Sequence, residues 1–341
     1  MKKLLLVGFV VVIASASGDY FPAGKWATKS PKALGWSEKK FRLAKEYFLQ
    51  SASTAVMVID KGYIVASWGD VDRRVNVHSV RKSFLSALIG IHVQKGEIHL
   101  SDSLKQLHID DKQKLTNIEK EATVADLLKA RSGVYHPAAY ETRSMKKRRP
   151  QRGSHFPGTF YYYNNWDFNT LGSIFEKKTS QKIFTAFSRE IADFIGMQDF
   201  RESDCRYVKE NVSIYPAYEF YMSARDRARF GLLFLRNGKW KGKQIIPTEW
   251  IKESTTPYSQ VSKGIGYGYM WWVSTGNWHL GSRIHGKAYS ARGHWGQYIV
   301  ILPEEELVVV QVSDKSTGDS DMHGRKFNKL IKLILNAKRG D

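Results

Sequence analysis

A serine three residues ahead of a lysine occurs three times in the chain: Ser37 with Lys40, Ser79 with Lys82, and Ser144 with Lys147. A serine hydroxyl is a weak nucleophile until a nearby base takes its proton, and a lysine kept from water can be that base. Context separates the three pairs. Ser37 opens an amphipathic helical pattern and Ser144 lies in a run of basic residues, so both read as solvated. Ser79 begins Ser-Val-Arg-Lys-Ser-Phe-Leu-Ser-Ala-Leu-Ile-Gly-Ile, a segment apolar enough for a buried helix. Its spacing puts Ser79 and Lys82 one turn apart on one face, near the positive end of the helix. The purely structural alternative is a capping serine followed by a snorkelling lysine.

Two further groups carry chemistry. Pro157-Gly158 leads into the aromatic run Phe160 to Tyr163, then Asn164, Asn165 and Trp166. A phenol beside a cationic lysine has its pKa lowered, which makes Tyr163 a candidate general base. Asn165, with a donor and an acceptor, can orient side chains and substrate amides. The competing reading is an aromatic loop packed on the core. Gly293-His294-Trp295-Gly296-Gln297 precedes an apolar run from Tyr298 to Leu302. A glycine at a strand edge admits close approach of another backbone, such as an acyl substrate. His294 alone is as readily structural as catalytic.

The elements that must position these residues follow from periodicity. Ser37 to Gln50 reads as a helix, and Thr54 to Asp60 with Tyr63 to Trp68 as a hairpin about Lys61-Gly62. Thr123, with Asp126 three residues on, is a capping-box variant opening a helix. Met222 to Arg236 is a second strong helix. Gly266 to Ser274, Gln297 to Leu302 and Leu307 to Val312 read as strands, the last two joined by Pro303 to Glu306, and Phe327 to Leu335 as a closing helix. Strands at both ends with helices between predict an α+β fold: an antiparallel sheet built from the N- and C-terminal segments, flanked by helices, with a mostly helical inserted subdomain. The expected sheet subdomain spans about 35–95 and 255–341, and the helical one about 96–254.

These ordered motifs resemble the serine β-lactamase-like, penicillin-recognising family: class C β-lactamases, D-alanyl-D-alanine carboxypeptidases, related esterases and 6-aminohexanoate-dimer-type amide hydrolases. The likeness covers nearly all of residues 17–341, including Thr123 to Gly133, Met222 to Gly231 and Trp240 to Trp250. It implies an acyl-enzyme on Ser79, with Lys82 and Tyr163 moving its proton and Asn165 orienting them. It also implies an oxyanion hole from the Ser79 and Gln297 backbone amides, and no cofactor or metal. Where β-lactamases of this group carry Lys-Thr-Gly, this chain has His294-Trp295-Gly296. That departure points to a carboxylic ester or a small amide as substrate. β-Lactamase or D-alanyl-D-alanine carboxypeptidase activity and a non-catalytic binder on the same fold are the rivals. Arg292 is a candidate replacement charge.

The bulk numbers set the surroundings. The chain has 341 residues, 42% hydrophobic, enough for a full core without staples. Lys2 and Lys3, the apolar run Leu4 to Ile13 and the small residues Ala14-Ser15-Ala16 describe a signal peptide over residues 1–16, hence an exported, periplasmic or secreted protein. No other segment is apolar enough to span a bilayer. The single cysteine, Cys205, forms no internal disulfide and is given no role. A formal charge of +20 favours anionic partners such as envelope components. No nucleic-acid-binding pattern accompanies it, so nucleic acid is not expected. Lys146 to Arg149 with Arg152 reads either as a solvated loop or as a basic lip to the cleft.

Overall fold

The computed structural model describes residues 19–317 and 322–340. The expected signal peptide, 1–16, lies outside the described residues. Eight antiparallel strands make the main sheet. They are β1 (Ala55–Asp60), β2 (Tyr63–Gly69), β3 (Ser259–Ser262), β4 (Ile265–Tyr267), β5 (Trp272–Ser274), β6 (Tyr289–Gly293), β7 (Gln297–Leu302) and β8 (Leu307–Val312). Their spatial order is β2-β1-β8-β7-β6-β5-β4-β3. The C-terminal β8 therefore lies beside the N-terminal β1, with Ala55 opposite Val312 and Asp60 opposite Leu307. This is the α+β architecture that the two terminal sets of strands require.

Both faces of the sheet are covered, which is why β1, β7 and β8 are buried along their whole length. Side chains alternate between the faces. Val56, Val58, Tyr298, Val300, Leu307 and Val309 join one core with helices α1 (Glu38–Leu49) and α7 (Arg325–Lys338). Met57, Ile59, Ile299, Ile301, Val308 and Val310 join the other, larger core. That second core takes in α2 (Arg81–Gln94), α3 (Val124–Leu128), α5 (Asn165–Thr179) and α6 (Ala224–Leu235). The short α4 (Arg143–Arg148) carries the basic run, in which Arg149 pairs with Glu141 and Arg152 with Glu119.

Local rules account for the ends of these elements. Ser37 caps α1 by accepting from Lys40 N, so the first Ser-x-x-Lys pair is a helix cap. Thr123 and Asp126 complete a capping box on α3. The expected strand over Gly266 to Ser274 is instead two strands, β4 and β5, folded back through Gly268. Met270, at a left-handed φ of 61°, lies in the reversal between them, and Gly268 packs so close to the Ser254 carbonyl that no Cβ would fit. Periodicity also missed β6, a mixed run with Arg292 inside it. Among the described residues no helix is long and apolar enough to cross a membrane.

Candidate active site

Ser79 lies in a single 3-10 turn, His78–Val80, that leads into α2; it is not the first residue of the α-helix. The turn is set by His78, whose φ of 49° is left-handed and uncommon for a residue with a side chain. Asn76 Oδ1 accepts from the His78 backbone N–H at 2.8 Å, and Val77 N–H donates to the Phe220 carbonyl. These bonds hold the strained turn and leave Ser79 half-buried at the end of a buried helix.

One turn on, Lys82 is 2% exposed, and its Nζ is hydrogen-bonded to Ser79 Oγ at 2.8 Å. The ammonium end lies 4.7 Å from the centre of the Tyr163 ring and 4.9 Å from that of Phe168. Burial, and then the neighbouring Arg81 charge, push the Lys82 pKa well below the ordinary lysine value. The structure thus supplies a lysine that sheds its proton easily, against the serine it would serve.

Tyr163 closes the other side of Ser79. Its ring packs on Phe168, Trp272 and Tyr267 at 5.0, 5.6 and 5.9 Å between centres. The expectation of a lowered phenol pKa is reversed: burial pushes it up to about 12, against the hydrogen bond with Ser79 and the Arg81 charge. The expectation required a cationic Lys82, and the same burial that raises the phenol discharges the lysine. Tyr163 is therefore a neutral hydroxyl at rest.

Asn165 is the first residue of α5, following the cap Asn164, whose side chain accepts from Trp166 N. Its Nδ2 donates to the Tyr140 carbonyl at 2.7 Å, and its buried Oδ1 has no hydrogen-bond partner. Tyr140 in turn places its hydroxyl 3.0 Å from His78 Nδ1. Burial and the nearby His294 hold the His78 pKa down, to about 4, so this imidazole is neutral at ordinary pH.

The third motif differs from expectation. His294, Trp295 and Gly296 form the turn between β6 and β7, and the strand that meets Ser79 is β6 itself. A Cβ on Gly293 would stand 3.2 Å from Ser79 N. His294 reaches toward the site, its ring 6.1 Å from that of His78 and nearly perpendicular to it. Trp295 and Gly296 shape the turn with φ of 63° and 90°. The Trp295 N–H donates to His323 Nε2 at 2.7 Å, and Lys315 sits 3.8 Å above its ring.

Gln297 is a correction. Ser274 N–H donates to the Ala288 carbonyl at 2.8 Å, so even-numbered residues of β6 turn their peptide groups toward β5. Odd-numbered ones, Gly293 included, face β7, where Gly293 pairs with Gln297. The Gln297 amide is thus in the ladder and not in an oxyanion hole. Its side chain is fully buried, accepting from Arg227 Nη1 and donating to the Ser313 carbonyl. Arg292 Nε donates to Ser290 Oγ at 2.9 Å, and its guanidinium lies 5.0 Å from the centre of the Trp272 ring.

The sequence reading missed His78, Tyr140, Phe168 and Trp272. Only His78, adjacent to Ser79, carried a local signal; the others come from segments that no spacing rule links to the serine. Cys205 is half-buried, with its thiol pKa pushed up by burial.

Comparisons with known proteins agree with this architecture. The β-lactamase family model matches residues 45–333. An uncharacterized protein of Alkalihalophilus pseudofirmus is 23% identical over 267 residues, covering 70% of this chain and 73% of its own. A Bacillus anthracis structure assigned as a 6-aminohexanoate-dimer hydrolase superposes with a TM-score of 0.67 at 19% identity, covering 92% of this chain and 87% of that one. The octameric penicillin-binding protein homologue of Pyrococcus abyssi gives 0.64 at 18% identity, covering 87% and 76%. With the family model spanning most of its length, the chain belongs to the β-lactamase family of hydrolases.

Proposed function

We propose that the chain is an exported serine hydrolase that cleaves a carboxylic ester or a small amide through an acyl-enzyme on Ser79. The observation that carries this reading is the 2.8 Å contact between Ser79 Oγ and the buried, proton-shedding Lys82 Nζ. Ser79 Oγ attacks the substrate carbonyl carbon as its proton passes to Lys82. Tyr163, a neutral phenol beside Ser79, relays a proton to the leaving alkoxide or amine. The Ser79 amide and the open peptide edge of β6 beyond Trp272 would hold the developing oxyanion. Water then attacks the acyl carbonyl and regenerates Ser79. Asn165 Oδ1, buried and without a partner, suits a substrate N–H.

A small ester or amide fits the exposed His294 at the mouth of the site, where a bulky Trp295 follows. The assignment of the Bacillus anthracis structure as an amide hydrolase supports the amide alternative. β-Lactamase or D-alanyl-D-alanine carboxypeptidase activity is the second reading, favoured by one observation: Arg292 offers a cation on β6 beside Trp272. The excess of basic residues suits an anionic envelope setting. The test is hydrolysis of p-nitrophenyl butyrate by the protein lacking residues 1–16, beside Ser79→Ala. Turnover lost in the variant supports the acyl-enzyme, and equal activity in both removes Ser79 from the reaction. Faster turnover of a chromogenic cephalosporin would establish the second reading.

A further inference from the structure

Arg81 lies between the nucleophile and Lys82, and its side chain is fully buried. Nη2 donates to Asn169 Oδ1 at 3.4 Å, while Nε and Nη1 have no hydrogen-bond partner. The guanidinium carbon is 4.4 Å from the centre of the Tyr218 ring and 5.8 Å from that of Tyr140. Among the described residues no carboxylate forms an ion pair with it. A buried cation held only by ring faces and one amide is costly, and apolar residues would fill the same space more stably.

We propose that Arg81 is a positioning residue for the reaction: a fixed, uncompensated positive charge that keeps Lys82 in the proton-free form that accepts the Ser79 proton. The proposal rests on the acyl-enzyme reading given above. Two cationic side chains on successive buried residues of one helix cannot both stay charged cheaply, and a guanidinium does not give up its proton where a lysine does. The same charge acts on Tyr163 and His78, so it reaches all three groups around Ser79.

The other groups facing this pair do not cancel it. Lys82 meets Ser79 from its own turn, Tyr163 from the segment before α5, and Phe168 from α5. Arg81 meets Tyr140, Tyr218 and Asn169. Both of these phenols stay protonated, their pKa values raised first by burial. The nearby carboxylate of Glu219 accepts from Asn76 Nδ2 and Arg206 Nε, with Arg206 as its ion-pair partner.

The experiment is the rate of Ser79 labelling by a fluorophosphonate as a function of pH, in wild type, Arg81→Met and Asn169→Asp. The second variant leaves the guanidinium in place and puts a carboxylate against it, so it serves even if loss of Arg81 prevents folding. Removing or neutralising the charge raises the Lys82 pKa. The acid limb of the labelling rate should therefore move to higher pH by at least about one unit, a tenfold loss at a fixed pH on that limb. Limbs that coincide with wild type while only the plateau falls would show that Arg81 merely fills space, and would overturn the inference alone. A wild type that is never labelled at Ser79 would overturn the acyl-enzyme reading, and this inference with it.

Discussion

Gly293 packs against the backbone of Ser79: a Cβ there would come within 3.2 Å of Ser79 N and closer still to the Val77 carbonyl oxygen. Its φ is not left-handed, so the requirement for glycine is one of space and not of backbone freedom. Gly293→Ala must push β6 away from the Ser79 turn. A displacement near 1 Å costs about 100-fold in rate. We expect a loss of that order in Ser79 labelling by a fluorophosphonate, with a native circular dichroism spectrum.

Lys82→Arg keeps most of the length but puts a permanently charged group, which cannot take up the Ser79 proton, at the base position. Ester hydrolysis should fall by roughly 10²–10⁴, the usual contribution of a positioned base. In wild type, kcat/KM should already be on its plateau well below the ~10.4 of an ordinary lysine. Activity that rises only near that value would show a Lys82 still holding its proton at neutral pH.

Tyr163 stays protonated to about 12. The pH profile should therefore carry no phenol limb between pH 8 and 10. Tyr163→Phe should lower kcat by roughly 10²–10⁴ through loss of the proton relay. A new wild-type limb in that range would indicate a phenolate base instead.

Glu190 gives a stability test away from the site. Burial works to raise its pKa, but hydrogen bonds from His92 and Lys95 pull it down to about 2. A carboxyl lowered on folding adds stability above its unfolded pKa, near 4.3, and loses it as pH falls toward 2. Glu190→Gln should cost roughly 1.5–3 kcal/mol at pH 7 by urea melts. The gap between variant and wild type should close between pH 4.5 and 2; a gap that does not vary with pH would contradict the pairing.

Gly90 faces Trp250, and a Cβ on it would come within 2.2 Å of the indole ring. Gly90→Ala gains helix propensity yet overpacks this contact. The expected net change is a loss of about 1–3 kcal/mol, read as a lowered urea midpoint. An unchanged or raised midpoint would show that Trp250 can swing clear.

Much of this was legible before any coordinates. Local signals such as the helix opened by Ser37, the Thr123–Asp126 box and the β-rich runs Thr54 to Asp60 and Leu307 to Val312 all stand in the structure. The spacing of Ser79 and Lys82 needed only one helical turn. Tyr163 was found by its aromatic context, but the sign of its pKa shift was not. That sign depends on whether Lys82 is charged, and burial set by distant segments decides it. Gln297 was misplaced for a similar reason: strand register alone tells which peptide groups face the ladder and which face the site. Tyr140 and Trp272 come to Ser79 only through the tertiary fold.

The placement of β8 between β1 and β7 also has a meaning in time. During synthesis Ser79 and Lys82 emerge early, but Gly293 follows more than two hundred residues later, and the strand that locks the sheet shut comes after it. Pairings this distant along the chain close late and slowly. On the reading proposed above, Ser79 therefore stays silent on the growing chain, and a truncation before Leu307 leaves β6 and β7 without the strand that ties them to β1. Hydrolysis at Ser79, as proposed, would report that the last strand has docked.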